Sequence, residues 1–220
     1  MVEPVPIPAT CQYRPTIGGR VIPYINVRLG DGGVDFRHHH GTRTDEVLRR
    51  GLCQVCARPL LHPLVLLCGP AALKQLLFDE PPMHPECAVY ATQACPMLAG
   101  QSLRFASGPS VSEGRRGKAC SEPGCDCEGW VASSTSVGRA GQPAHPWYAV
   151  YARRFSRNCD PTGRVVGALL FPEDVLRVRL VSRPGEGRCW ELVPDALADY
   201  EPPQITIAPG VVAGSGNEVS

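Results

Sequence analysis

Two pairs of metal-ligand residues constrain this chain more than any other feature. The first pair is Cys53-Gln-Val-Cys56 and the second is His84-Pro-Glu-Cys87. A structural zinc ion takes four nitrogen or sulfur ligands in a tetrahedron, and a Cys-x-x-Cys turn can direct both of its sulfurs at one ion. The spacing therefore predicts one zinc site made by all four residues. The alternative, unrelated residues with buried thiols, explains the pairing less well.

The second pair is predicted to begin a helix. Pro85 suits the first helical position because its missing N–H would have no partner there. Residues 86–95 can continue the helix, and Pro96 ends it. His84 and Cys87 are three residues apart and share one face of the first turn, where the positive end of the helix dipole favours a thiolate.

Composition limits the classes that the chain can belong to. Its 220 residues allow one core of moderate size or two small modules, and a net charge of +1 gives no lean toward nucleic acid or membrane. The start of the chain lacks a secretory pattern, and no apolar run is long enough to span a bilayer. The 11 cysteines are therefore interpreted as metal ligands and buried thiols of a cytoplasmic protein.

The pattern predicts an α+β protein with an N-terminal treble-clef-like zinc module and a C-terminal antiparallel β meander. Thr42 and Asp45 have the spacing of a capping box, and Gly51 is predicted to end the helix that follows. The predicted units are a β-hairpin and zinc module at 1–100, a Gly/Ser/Pro-rich linker with a Cys cluster at 101–144, an antiparallel β segment at 145–200, and a disordered tail at 201–220. Predicted strands cover 21–29, 34–40, 60–68 (the hairpin after the first ligand pair), 147–155, 164–171, 175–181 and 188–193, and predicted helices cover 45–50 and 70–78.

A second group of cysteines lies in the linker, at Cys120, Cys125 and Cys127. These residues could bind a second zinc ion, with Cys95, His145 or Cys159 as the fourth ligand. Free thiols or a redox pair are the alternative, and because Cys-x-Cys is a less common zinc spacing, both interpretations stay open.

Two other groups of residues have both a functional and a structural interpretation. His38, His39 and His40 end a predicted strand, and an exposed strand end is favoured over an auxiliary metal site. Three small basic clusters could contact phosphates, but a solvated surface balanced by 21 acidic residues explains them better. The clusters are Arg49-Arg50, Arg115-Arg116-Lys118 and Arg153-Arg154-Arg157.

Four segments in order resemble a scattered group of uncharacterised actinobacterial and phage proteins, some of which are labelled as cell envelope biogenesis proteins. The segments are the Cys-x-x-Cys turn, DEPPMHPECAVYATQACPML, HPWYAVYARRF, and LRVRLV followed by GRCWELVPDAL. The resemblance covers roughly residues 7 to 200, and His84-x-x-Cys87 with Tyr90 and Cys95-Pro96 is its most specific part. It implies a treble-clef zinc module with an appended β segment, and it brings no known activity.

The sequence thus favours a zinc-stabilised cytoplasmic module that contacts a protein, or secondarily a nucleic acid, without a membrane and without evident catalysis. The alternative is a metal- or thiol-dependent enzyme that uses the His38–His40 triplet or the Cys120, Cys125 and Cys127 cluster. An open coordination position, or a pocket in which His and Cys converge, would favour the enzyme. The oligomeric state stays open.

Overall fold

The computed structural model describes residues 5–107, 123–126, 130–131, 139–161 and 163–203. Within them the chain folds as an α+β protein with antiparallel strand pairs, as predicted. The helices are α1 Gly41–Arg50, α2 Pro70–Gln75 and α3 Pro85–Ala94. The strands are β1 Thr16–Ile17, β2 Arg20–Val21, β3 Asn26–Arg28, β4 Val34–His40, β5 Leu64–Cys68, β6 Leu77–Phe78, β7 Trp130–Val131, β8 Trp147–Ala152, β9 Ser156–Cys159, β10 Val165–Leu169, β11 Val175–Arg183 and β12 Gly187–Leu192.

Two sheets connect the two halves of the sequence. The larger has the strand order β12-β11-β8-β5, and a second has the order β6-β10-β9. Strand β5 was predicted to form a local hairpin after the first ligand pair, but it pairs with β8 along its whole length and makes only a single local bridge, between Val65 and Met83. Backbone pairing therefore joins the segments that the sequence divides at the linker, most of which lies outside the described residues.

Strand β5 lies between two hydrophobic cores. All five of its residues are buried. Val65 and Leu67 contribute to one core, while Leu64, Leu66 and Cys68 contribute to the other. This placement explains why every residue of the strand is apolar and why apolar and polar residues do not alternate along it. A strand covered on both faces has no side that faces solvent.

Helix α1 begins earlier than its sequence predicts. It begins at Gly41 rather than Asp45, and no side chain caps its first turn. The predicted capping box does not form, because Thr42 lies inside the helix and His40 occupies the N-cap position. The Asp45 carboxylate instead accepts hydrogen bonds from the Arg49 guanidinium at 2.8 Å and from the Val165 N–H at 3.1 Å. Asp45 thereby ties α1 to β10. Gly51 ends α1 with a φ of 62°, as predicted.

Helix α2 is shorter than predicted, and strand β10 belongs to an unexpected sheet. The helix ends at Gln75 because Leu76 adopts a left-handed φ of 52°, and the next two residues form β6. Strand β10 pairs with β6 and β9, so the C-terminal strands are antiparallel but not all consecutive neighbours.

No helix in the described ranges has the length and apolarity needed to cross a membrane.

Replacing Gly167 with alanine should destabilise the fold. A methyl group there would overlap the carbonyl oxygen of Phe78, at the contact between β10 and β6. Overpacking of this kind costs about 1–3 kcal/mol. Chemical denaturation should detect this loss for Gly167→Ala, while Val166→Ala, at a partly exposed position, should cost less than about 1 kcal/mol. Equal stabilities for the two variants would contradict the close approach of these strands.

Candidate metal centre

The structure brings the four predicted ligands together. One ligand atom from each of Cys53, Cys56, His84 and Cys87 lies within 4.8 Å of the other three. The three cysteines are fully buried, and His84 is 4 % exposed. In the described part of the chain this is the one cluster of three or more such donors compact enough to hold a metal ion.

Backbone hydrogen bonds fold the first pair into a tight turn. The Cys53 N–H donates to the Arg58 carbonyl at 2.8 Å, and the Ala57 N–H donates to the Cys53 carbonyl at 2.8 Å. Ala57 has a left-handed φ of 61°, which reverses the chain after the second sulfur. The turn follows Gly51 at the end of α1, and a bond of 2.8 Å from the Leu60 N–H to the Gly51 carbonyl closes the loop. Both sulfurs consequently point to the same side.

Strand β5 positions the second pair. Val65 and Met83 exchange two backbone hydrogen bonds, each 2.9 Å long, immediately before His84. His84 is the N-cap of α3, and Pro85 takes the first helical position, as the sequence predicts. Cys87 lies one turn into the helix on the same side as His84, which places its Sγ 4.0 Å from the His84 Nδ1.

The His84 ring is oriented for coordination through Nδ1. Its Nε2 lies 2.8 Å from the Pro59 carbonyl oxygen, and an Nε2–H that donates there leaves Nδ1 as the nitrogen that can offer a lone pair to a metal ion. Nδ1 lies 3.4 Å from the Cys56 Sγ. A backbone acceptor on the far nitrogen of a ligating histidine is a common device that fixes the tautomer and ring orientation.

The charges of the cluster are suited to a cation. Hydrogen bonds from Cys11 and then Cys53 lower the pKa of Cys56, whereas contacts with the same two thiols raise the pKa of Cys87. The opposite directions of these two shifts reflect the repulsion between neighbouring thiolates. Hydrogen bonding to Cys53 and then Cys56 raises the pKa of His84 to about 11. A divalent ion would offset the repulsion, ionise all three thiols and bind neutral His84.

A fifth donor, Cys11, also reaches the cluster, although it is not among the residues that the sequence pattern predicts. The Cys11 side chain is fully buried, with its Sγ 3.7 Å from the Cys87 Sγ. Contact with Cys56 raises the pKa of Cys11 to about 11. Cys11 stands alone in a proline-rich segment 42 residues before the first pair, so no spacing indicates that it belongs with the ligands.

The histidine triplet does not form a metal site with the described residues. His38 Nδ1 lies 3.2 Å from the buried Asp35 carboxylate. Burial lowers the pKa of His39 and of His40. The three rings and their described neighbours do not supply a compact group of three donors. The prediction that the triplet is an exposed strand end is also wrong for His38, because the side chain of His38 is buried in β4.

Most of the predicted second site lies outside the described residues. This applies to Cys120 and Cys127, so a second metal there stays a prediction. Cys125 packs against Val27 and Leu29. Its neighbour Asp126 binds the Arg43 guanidinium and accepts a hydrogen bond from the Arg28 N–H, which anchors this segment to β3 and α1.

A separate cavity of about 250 Å³ lies beside β5 and is lined in part by Cys68, His145 and Glu80. Burial strongly raises the pKa of the Cys68 thiol, which keeps this group protonated. The His145 Nδ1 lies 2.9 Å from the Pro146 carbonyl oxygen, and no hydrogen bond joins His145 to Cys68 in the described structure. Cys68 and His145 therefore do not form a hydrogen-bonded pair of nucleophile and base in the described structure.

No family model, curated protein or solved structure matches this chain. The assignment of the metal centre consequently depends on its own side chains. The donor atoms, their burial and the hydrogen bond that orients His84 all agree with a metal site closed by protein ligands.

Replacing Cys53 with serine should remove the metal and destabilise the fold. An ion present at about a thousand times its Kd adds about 4 kcal/mol of stability, which the variant would lose. Elemental analysis and thermal unfolding would check both effects, with exposed Cys159→Ser as the control. The control should keep the metal, and a chelator should lower its Tm and that of the wild type. Full metal content in both Cys53→Ser and Cys53→Ser/Cys11→Ser would rule out Cys53 as a ligand.

Proposed function

We propose that this chain is a zinc-stabilised module of the treble-clef type that binds a protein partner in the cytoplasm and uses its metal for structure rather than catalysis. The observation that carries the proposal is the closed site, with four buried protein donors around one point. A catalytic zinc ion keeps a coordination position open for water or substrate, whereas a structural ion has four protein ligands. Membership of the actinobacterial and phage group stays a prediction.

The donor set and its spacing support zinc as the ion. Three sulfurs and one imidazole form one of the common structural zinc sets. In a tetrahedron with bonds of about 2.3 Å to sulfur and about 2.0 Å to nitrogen, sulfur and nitrogen lie roughly 3.5 Å apart. The distances of 3.4 and 4.0 Å from His84 Nδ1 to the sulfurs of Cys56 and Cys87 bracket that value.

Exposed side chains beside the Cys-x-x-Cys turn support a protein partner. Tyr13 is 53 % exposed and Leu61 is 70 % exposed. The Arg58 guanidinium lies over the Tyr13 ring at 4.9 Å, and the Tyr13 hydroxyl donates to the Cys56 carbonyl. The metal turn therefore holds Tyr13 in place. Tyrosine and arginine are enriched at the energetic centres of protein interfaces.

The arginine clusters give less support to nucleic acid. Arg49 and Arg50 pair with carboxylates of their own helix, and Arg154 pairs with Asp174. An arginine already held by a carboxylate has less charge to offer a phosphate. The cluster at 115–118 lies outside the described residues.

Affinity capture from the native host with the full-length chain would test the proposal. The wild type should hold one zinc ion and enrich a specific protein. The double variant Arg58→Ala/Leu61→Ser should capture at least tenfold less of that protein while it keeps its zinc ion. Leu192→Ser, at a residue 58 % exposed on β12, is the matched control and should bind like the wild type.

Three results would contradict the proposal. The first is a wild-type protein that folds without zinc. The second is a captured protein that the double variant retains in full. The third is binding of mixed-sequence DNA or RNA with a steep salt dependence, which would assign the surface to phosphates instead.

A further inference from the structure

The metal centre contains one more donor than a four-coordinate ion can use. Cys11 is fully buried and contacts the ligand Cys87, with 3.7 Å between the two sulfurs. Two sulfurs bound to the same tetrahedral zinc ion lie roughly 3.8 Å apart. Cys11 therefore already stands at the distance of a co-ligand from Cys87.

The backbone around Cys11 holds this sulfur in place independently of any metal bond. The segment Ala9–Cys11 forms a 3₁₀ turn, in which the Cys11 N–H donates to the Pro8 carbonyl at 2.8 Å. The Thr10 hydroxyl lies 3.7 Å from the Cys87 sulfur. Two residues further on, Tyr13 is anchored on the Cys56 carbonyl. The segment is thus fixed to both ligand pairs.

We propose that Cys11 is a reserve zinc ligand that replaces His84 when the imidazole leaves, so that a centre held at rest by three thiolates and one imidazole converts to a set of four thiolates. In the exchange, the bond from zinc to His84 Nδ1 breaks and a bond from zinc to Cys11 Sγ forms. Cys11 loses its thiol proton and the released imidazole gains one, so protons and charge balance in the step. The Pro59 carbonyl, 2.8 Å from Nε2, keeps the released ring beside the site.

With this exchange, the proposed zinc site would keep its ion even after it loses His84, its only nitrogen ligand. The set of four thiolates carries one more negative charge and has softer donors, so it suits zinc and other thiophilic ions. The inference rests on the proposed function, because it requires that zinc binds to the other three cysteines.

Cobalt(II) substitution of the full-length protein tests the proposal, since the charge-transfer absorbance of cobalt increases with each bound thiolate. The wild type should give the intensity of three thiolates. His84→Ala should still bind one cobalt ion per chain, with charge-transfer intensity raised by about one third as a fourth sulfur binds. His84→Ala/Cys11→Ser should lose at least tenfold in affinity relative to His84→Ala.

A matched control separates loss of a ligand from loss of a cysteine. Cys95 caps the far end of α3, so His84→Ala/Cys95→Ser should bind cobalt as His84→Ala does. A His84→Ala protein that binds no better than the double variant with Cys11→Ser would overturn the exchange. A wild-type protein that binds neither zinc nor cobalt would instead overturn the proposed function, so the two failures are distinguishable.

Discussion

The structure depends on the convergence of three buried sulfurs and one imidazole nitrogen on a common point. Two sulfurs come from the turn after α1, and the other two donors come from the first turn of α3. A bridge to β5 fixes where α3 begins. Because burial and mutual repulsion disfavour several thiolates in one place, a cation is the simplest partner that stabilises this arrangement.

The metal centre also belongs to the core. The cluster that contains Cys53, Cys56 and Cys87 includes Val65 of β5 and Ala149 of β8. Across the same core, the Tyr90 hydroxyl of α3 accepts a hydrogen bond of 2.8 Å from the Val21 N–H. The N-terminal segment, the metal turn and the larger sheet therefore pack as one body. Disruption of the Cys53, Cys56, His84 and Cys87 cluster would disturb both the fold and the exposed side chains around Tyr13.

Local signals in the sequence were sufficient to predict that Cys53, Cys56, His84 and Cys87 lie together and that α3 begins at Pro85. Pair spacing and a proline at the first helical position act within a few residues. They were insufficient where distant segments decide the outcome. The sequence of β5 predicts half of a local hairpin, but its partner is β8, more than 75 residues later. The position of Asp45 predicts a capping residue, but Asp45 binds the backbone of β10. Cys11 has no neighbouring ligand in sequence and reaches the site only through tertiary packing.

Zinc K-edge X-ray absorption on the purified full-length protein tests the central claim most directly. The account predicts one zinc ion per chain with three sulfur neighbours at about 2.3 Å and one nitrogen neighbour at about 2.0 Å. It would be contradicted by a folded protein without zinc, or by a shell of oxygen neighbours in place of the sulfurs.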